Sequence, residues 1–246
     1  MPRFPILLTN DDGINSPGLQ HLASSLHSLG HPIAILAPLT EQSAVGMKLT
    51  LRDDMAFEEH TDIAEKIRTD EAVPLRAFSL DGSPCDCVIV AIDGGLRSWA
   101  PEIRPWLCIS GINRGPNLSV DVLHSGTVSA AREASLYGLP SLSVSLATYS
   151  HQDYSQSIEA TLALVERLSE LVTVEPSNIL RPEGSRTRPI EGTSPNSLRS
   201  WFMQGNMFLN LNIPEDWNGT FQTVPLGARW YHNAVSYTHL TLPTKA

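Results

Sequence analysis

The sequence predicts an α/β fold built on a parallel sheet, and three observations carry that expectation. A strand, a helix and a second strand follow one another between Ile6 and Ala37, which is a βαβ unit. Short apolar strands then keep alternating with helical patterns along most of the chain. Finally, 246 residues suffice for one such domain with a sizeable core, or a domain plus an extension.

Ile6–Thr9 is expected to be a buried strand that ends in the turn Asn10-Asp11-Asp12-Gly13. Ser16 then offers a helix cap, with Pro17 at the first helical position. Leu19, Leu22, Ala23, Leu26 and Leu29 recur at helical spacing until Gly30 stops the pattern. Ile33–Ala37 is the second strand, closed by Pro38.

Periodicity alone leaves Cys85–Ile92 ambiguous. Gly82-Ser83-Pro84 before it and Asp86 in its first turn favour a capped helix. Trp106–Ser110 reads as a strand running into "SGIN". Thr127–Tyr137, rich in Ala and Glu and closed by Gly138, reads as a helix. Ser141–Leu146 is a strand, Tyr154–Val172 a long amphipathic helix, and "MFLNLNI" (207–213) a late strand ended by Pro214.

Residues 176–200 are polar, proline-rich and without period, as a surface insertion or disordered loop would be. The stretch "VSYTHLTLPT" (235–244) continues no earlier pattern. It resembles the in-frame translation of a sequencing-library adaptor, and the competing reading is a genuine terminal strand. Residues 235–246 are therefore set aside as a non-native tail, with the natural sequence expected to stop near Ala234.

The net charge of −9 argues against a general nucleic-acid surface, which needs a basic stripe. It leaves an acidic substrate open, because a bound divalent cation inverts the local sign. No apolar run approaches membrane-spanning length. Cys85, Cys87 and Cys108 show no paired zinc spacing, as expected of reduced thiols in a cytoplasmic protein.

In doubly wound sheets, ligands collect beyond the carboxyl ends of the strands. Three such ends here carry oxygen-rich clusters. The first strand delivers Asn10, Asp11 and Asp12; the loop after the second delivers "TEQSAVG", with Gln42 and Ser43. The Trp106 strand delivers "SGINRGPN", with Asn113 and Asn117. Carboxylate, amide and hydroxyl oxygens suit Mg²⁺, Mn²⁺ or Ca²⁺. Such a cation would turn the repulsion between the adjacent aspartates into a shared attraction. Any one cluster alone is more ordinarily a turn or a cap; the signal lies in their number and placement. Ser125, Gly126 and Thr127 open a predicted helix, where backbone N–H groups and the positive helix end suit a phosphate. His124 is a candidate proton donor. The first strand-to-helix turn lacks the glycine spacing of a dinucleotide site.

With these residues assembled, the chain resembles the SurE (survival protein) family of metal-dependent nucleotidases. The matching stretches are "ILLTNDDGINSPG", "APLTEQSAVGMKLT", "DGSPCDCV", "SGINRGPNLSVDVLHSGTVSAAREA" and "LNLNIP", in the family's order. The resemblance implies a Rossmann-like three-layer α/β sandwich over residues 1–214. The implied activity is hydrolysis of nucleoside 5′- or 3′-monophosphates, sometimes of short polyphosphate, with one divalent cation, Mg²⁺ or Mn²⁺. It puts the metal ligands on Asp11, Asp12, Ser43 and Asn113, with Asp11 and Asp12 catalytic. It puts the phosphate-binding residues on Asn10, Asn117, Ser125, Gly126 and Thr127. It also implies a homodimer or homotetramer joined through a C-terminal extension, of which 215–234 looks like the start. Departures from the family pattern are Ala44, where a glycine often stands, and "SVD" (119–121), in place of a more acidic run. The alternative is a non-catalytic nucleotide- or metal-binding module, or an inactive fragment.

Overall fold

The computed structural model describes residues 3–173, 175–176, 179 and 195–228. Elements follow in the order β1 (Ile6–Thr9), α1 (Pro17–Ser28), β2 (Ile33–Pro38), β3 (Phe57–Glu59), α2 (Thr61–Ile67), β4 (Leu75–Leu80) and α3 (Pro84–Val90). A turn over Ala91–Gly95 leads to α4 (Leu96–Trp99), β5 (Leu107–Arg114), α5 (Asp121–His124) and α6 (Gly126–Leu136). The described chain closes with β6 (Ser141–Leu146), α7 (Ser155–Ser169), α8 (Pro195–Met203) and β7 (Leu209–Ile213).

The seven strands form one sheet in the order β3-β4-β2-β1-β5-β6-β7. Every pairing is parallel except β3 against β4, so the mostly parallel α/β expectation holds. Strand β1 lies between β2 and β5, pairing Ile6 with both Ile33 and Leu107. The chain builds outward from β1 to one side and then restarts on the other. That is the topological switch at which α/β sheets hold ligands.

Alternation along β1 divides the core into two layers. Ile6 and Leu8 face α1, where Leu19, Leu22 and Leu26 are buried; Leu7 faces the opposite side with Leu36, Cys87 and Ala130. Each apolar side chain of this size removed from water stabilises the fold by about 1.5–3 kcal/mol. Local chemistry sets the helix starts. Ser16 accepts from the Leu19 N–H, and Ser83 with Asp86 forms a reciprocal capping box ahead of Pro84. Asp86 additionally accepts from the Thr50 N–H at 3.0 Å and the Thr50 hydroxyl at 2.8 Å, tying the loop after β2 to α3.

Three differences from the sequence reading stand out. The segment Phe57–Leu80 supplies β3, α2 and β4, which carry no clear pattern: β3 is exposed throughout, and Arg76 interrupts β4. Strand β5 runs to Arg114 rather than ending at Ser110, with a register irregularity between Ser110 and Asn113. Helix α8 begins inside the proline-rich stretch, anchored by buried Phe202; residues 177–178 and 180–194 of that stretch lie outside the described residues. So do 229–234 of the extension and the whole 235–246 tail. Residues 221–228 form no regular element, and the Ser119 hydroxyl donates to Gly227 O at 2.9 Å.

Candidate active site

The carboxyl ends of β1 and β5 and the loop after β2 meet at an open cavity of about 380 Å³. Asp11, Asp12, Ser43, Asn113, Asn117, His124 and Ser125 all line it. Strand order brings the oxygen clusters together, because β1 and β5 are neighbours and the Gln42 N–H donates to the Asp11 carbonyl at 2.7 Å.

Asp11 sits at the N-terminus of α6. The Thr127 N–H donates to Asp11 Oδ2 at 2.9 Å, and the Thr127 hydroxyl donates to Oδ1 at 2.5 Å. The same hydroxyl lies 3.3 Å from Asn113 Oδ1, so one side chain links the ends of β1 and β5. Burial pushes the Asp11 carboxyl above its ordinary range, and the two Thr127 hydrogen bonds oppose that shift. Asp12 is pushed up to about 7, by burial first and then by the charge of Asp11; the Arg114 N–H, 3.4 Å from Asp12 Oδ2, works the other way.

The start of α6 is thus directed at the Asp11 carboxyl group. In the structure Gly126 and Thr127 therefore both bear on Asp11. Thr127 is fully buried with both polar groups engaged by Asp11. A Cβ on Gly126 would fall 2.8 Å from Asp11 Cβ and 3.1 Å from Pro84 Cγ, so glycine lets α6 close onto the aspartate. Ser125 caps the helix by accepting from the Val128 N–H at 3.1 Å. Asn10 is engaged within the turn after β1. It is fully buried, accepts from the Gly13 N–H at 3.2 Å and donates to Gly13 O at 3.0 Å and Ser16 Oγ at 2.7 Å. Its amide shapes the turn that presents the two aspartates.

Asn113 is aimed by the irregularity in β5. Gly111 has φ +145, and a Cβ there would lie 2.4 Å from Val144 O. Asn113 Nδ2 donates to Gly115 O at 2.8 Å, which leaves Oδ1 as the acceptor on the side of Thr127 and Asp11. Ser43 donates to Glu41 Oε1 at 2.6 Å. Glu41 also lines the cavity, as does Tyr149. Glu41 stood within "TEQS" without being singled out; Tyr149 carried no sequence signal.

These donors fit a hard cation. All are oxygens, and two adjacent carboxylates, one buried and one half-buried, both with raised pKa values, are the setting that a divalent charge relieves. Among the described residues, no three His, Cys, Asp or Glu side chains form a ligand cluster. A cation here would therefore rest on Asp11 and Asp12, with neutral oxygens from Asn113 and Ser43. No helix among the described residues is long and apolar enough to cross a membrane.

The sequence profile of the family described as Survival protein SurE matches residues 6–233. Over 167 residues the chain is 43% identical to the 5′-nucleotidase SurE of Syntrophotalea carbinolica, covering 67% of this chain and 59% of that protein. Over 165 residues it is 42% identical to the 5′-nucleotidase SurE of Synechococcus sp. (strain JA-3-3Ab), with the same coverage of 67% and 59%. The crystal structure of SurE protein from Aquifex aeolicus is similar with a TM-score of 0.57 and 29% identity, covering 85% of this chain and 65% of that one. This chain thus spans 59% of the length of the first two curated relatives.

Proposed function

The chain belongs to the SurE family, and on that premise we propose that it is a phosphomonoesterase. It would hydrolyse nucleoside 5′- or 3′-monophosphates, with short polyphosphate as a further substrate, and would depend on one Mg²⁺ or Mn²⁺. The observation that carries this reading is the Thr127 hydroxyl, which contacts Asp11 Oδ1 and Asn113 Oδ1 together and so joins two residues that line the cavity. Oxygen donors from distant parts of the chain thereby meet at a space open to a phosphate.

Asp11, Asp12, Asn113 and Ser43 would hold the cation, which when bound supplies charge neutralisation at the phosphoryl group and a more acidic water. Asp12, which lines the cavity beside Asp11, would accept a proton from the attacking water. Asp11 has both oxygens engaged by Thr127, which favours an orienting role over direct attack on phosphorus. Asn117 and Ser125 face the same cavity and hold the phosphoryl oxygens, while His124 donates to the leaving oxygen. Phosphoryl transfer needs little more than such positioning and electrostatics. All three cysteines are free and buried, in keeping with a cytoplasmic enzyme. The full-length protein would assemble as a homodimer or homotetramer through its extension.

Phosphate release from a nucleoside monophosphate, measured on chelator-treated protein with and without Mn²⁺, tests the proposal. Release that requires the cation and vanishes in Asp11→Asn is expected. Nucleotide binding without release would instead make this a non-catalytic binding module.

A further inference from the structure

The Asn117 backbone is gripped by side chains from a strand near the far end of the described chain. Asn212 in β7 acts as a surrogate peptide: its Oδ1 accepts from the Asn117 N–H at 2.8 Å, and its Nδ2 donates to the Asn117 carbonyl at 3.1 Å. Asn210 Nδ2 donates to the same carbonyl at 3.0 Å. In turn, the Ser143 hydroxyl fixes Asn210 by donating to its Oδ1 at 2.9 Å. Ser145 Oγ accepts from Asn117 Nδ2 at 2.9 Å.

Register explains why these groups converge. Ser143 pairs with Asn210, and Ser145 with Asn212, across the parallel β6–β7 ladder. Residues two apart point to one face of a sheet, so the serines and asparagines form a polar patch on the face opposite Leu209, Leu211 and Ile213, which pack on the core. Asn117 closes onto that patch with both backbone groups satisfied, and the residue lines the cavity. The Ser145 contact uses one of the two amide hydrogens of Asn117 and leaves the other for a ligand.

We infer that Asn212, assisted by Asn210, is a positioning residue that holds Asn117 against the bound phosphoryl group. The inference rests on the phosphate-binding part of the reading above. It makes β7 a component of the site rather than only an edge of the sheet.

A double-mutant cycle on the full chain tests it, read by kcat/KM for a nucleoside monophosphate and by calorimetric titration with inorganic phosphate. Asn117→Ala should weaken phosphate binding about 10- to 100-fold. Asn212→Ala should cost about 10-fold, and the double variant should be no worse than Asn117→Ala alone, because one residue acts through the other. Asn212→Asp guards against a simple folding failure: it has the same shape, keeps the acceptor for the Asn117 N–H, and sets an oxygen against the carbonyl. It should lose phosphate affinity while keeping the parent's circular dichroism and a cooperative unfolding transition. Additive losses in the cycle, or an Asn212→Asp variant that binds phosphate like the parent, would overturn the inference while phosphate release by the parent protein left the phosphatase reading intact. Non-additive losses in phosphate binding without any hydrolysis would uphold the inference and overturn the activity.

Discussion

Thr127 holds Asp11 through two groups at once, its N–H on Oδ2 at 2.9 Å and its hydroxyl on Oδ1 at 2.5 Å. The carboxylate is thereby locked at a helix N-terminus, where the helix dipole favours negative charge. Thr127→Val keeps the N–H contact and removes the hydroxyl that joins Asp11 to Asn113. Phosphate release should fall about 10- to 100-fold with the fold retained by circular dichroism. Unchanged turnover would show that the hydroxyl is dispensable.

Gly126→Ala should damage both stability and activity. The new methyl would fall 2.8 Å from Asp11 Cβ and 3.1 Å from Pro84 Cγ, so α6 must retreat from the aspartate. Overpacking of this kind costs about 1–3 kcal/mol, readable as a lower urea midpoint. Parent-like stability together with full activity would contradict the close approach.

Mutual repulsion and burial make the paired aspartates costly to charge, and a divalent cation relieves both. Saturating Mn²⁺ or Mg²⁺ should therefore raise the unfolding temperature of chelator-treated protein. A ligand at a hundred times its Kd contributes about 2.7 kcal/mol, or about 5 °C in a chain of this size. Asp12→Asn should shrink the shift. Calorimetry showing no shift in the parent protein would remove the cation from this site.

Ala44 carries φ 56, a left-handed conformation that costs a residue with a Cβ and that glycine adopts freely. Ala44→Gly should stabilise the protein by about 0.5 kcal/mol after the extra unfolded-state entropy of glycine is counted. A destabilised variant in urea titration would show the loop relaxed by other means.

Burial pushes the Cys85 and Cys108 thiols up to about 12 and the Cys87 thiol well above its usual value. The thiolate is the reactive form, so native protein at pH 8 should show no thiol that reacts quickly with a chromogenic disulfide. Denaturant should release all three. A fast-reacting thiol in native protein would mean one of these sites opens readily.

Several elements were legible because their signals are local. The Ser16-Pro17 start of α1 and the Ser83–Asp86 box before α3 complete their hydrogen bonds within three residues. The end of β1 bearing Asp11 and Asp12 was legible for the same reason, whereas β5 runs on through Asn113 to Arg114 past the irregularity after Ser110. Strand β4 was not, since Arg76 breaks its apolar run and its place beside β2 supplies the pairing that its pattern does not advertise. Helix α8 likewise depends on Phe202 finding the core.

By itself the sequence determined the alternation of strands and helices and the kinds of atom that gather at the strand ends, because caps, periods and turn residues act over a few positions. Only the tertiary structure decided which partners those atoms take. Thr127 meets Asp11 across 116 positions of chain, and Asn212 meets Asn117 across 95. Contacts of that span are fixed by the order and register of strands in the sheet, which no short stretch of residues encodes.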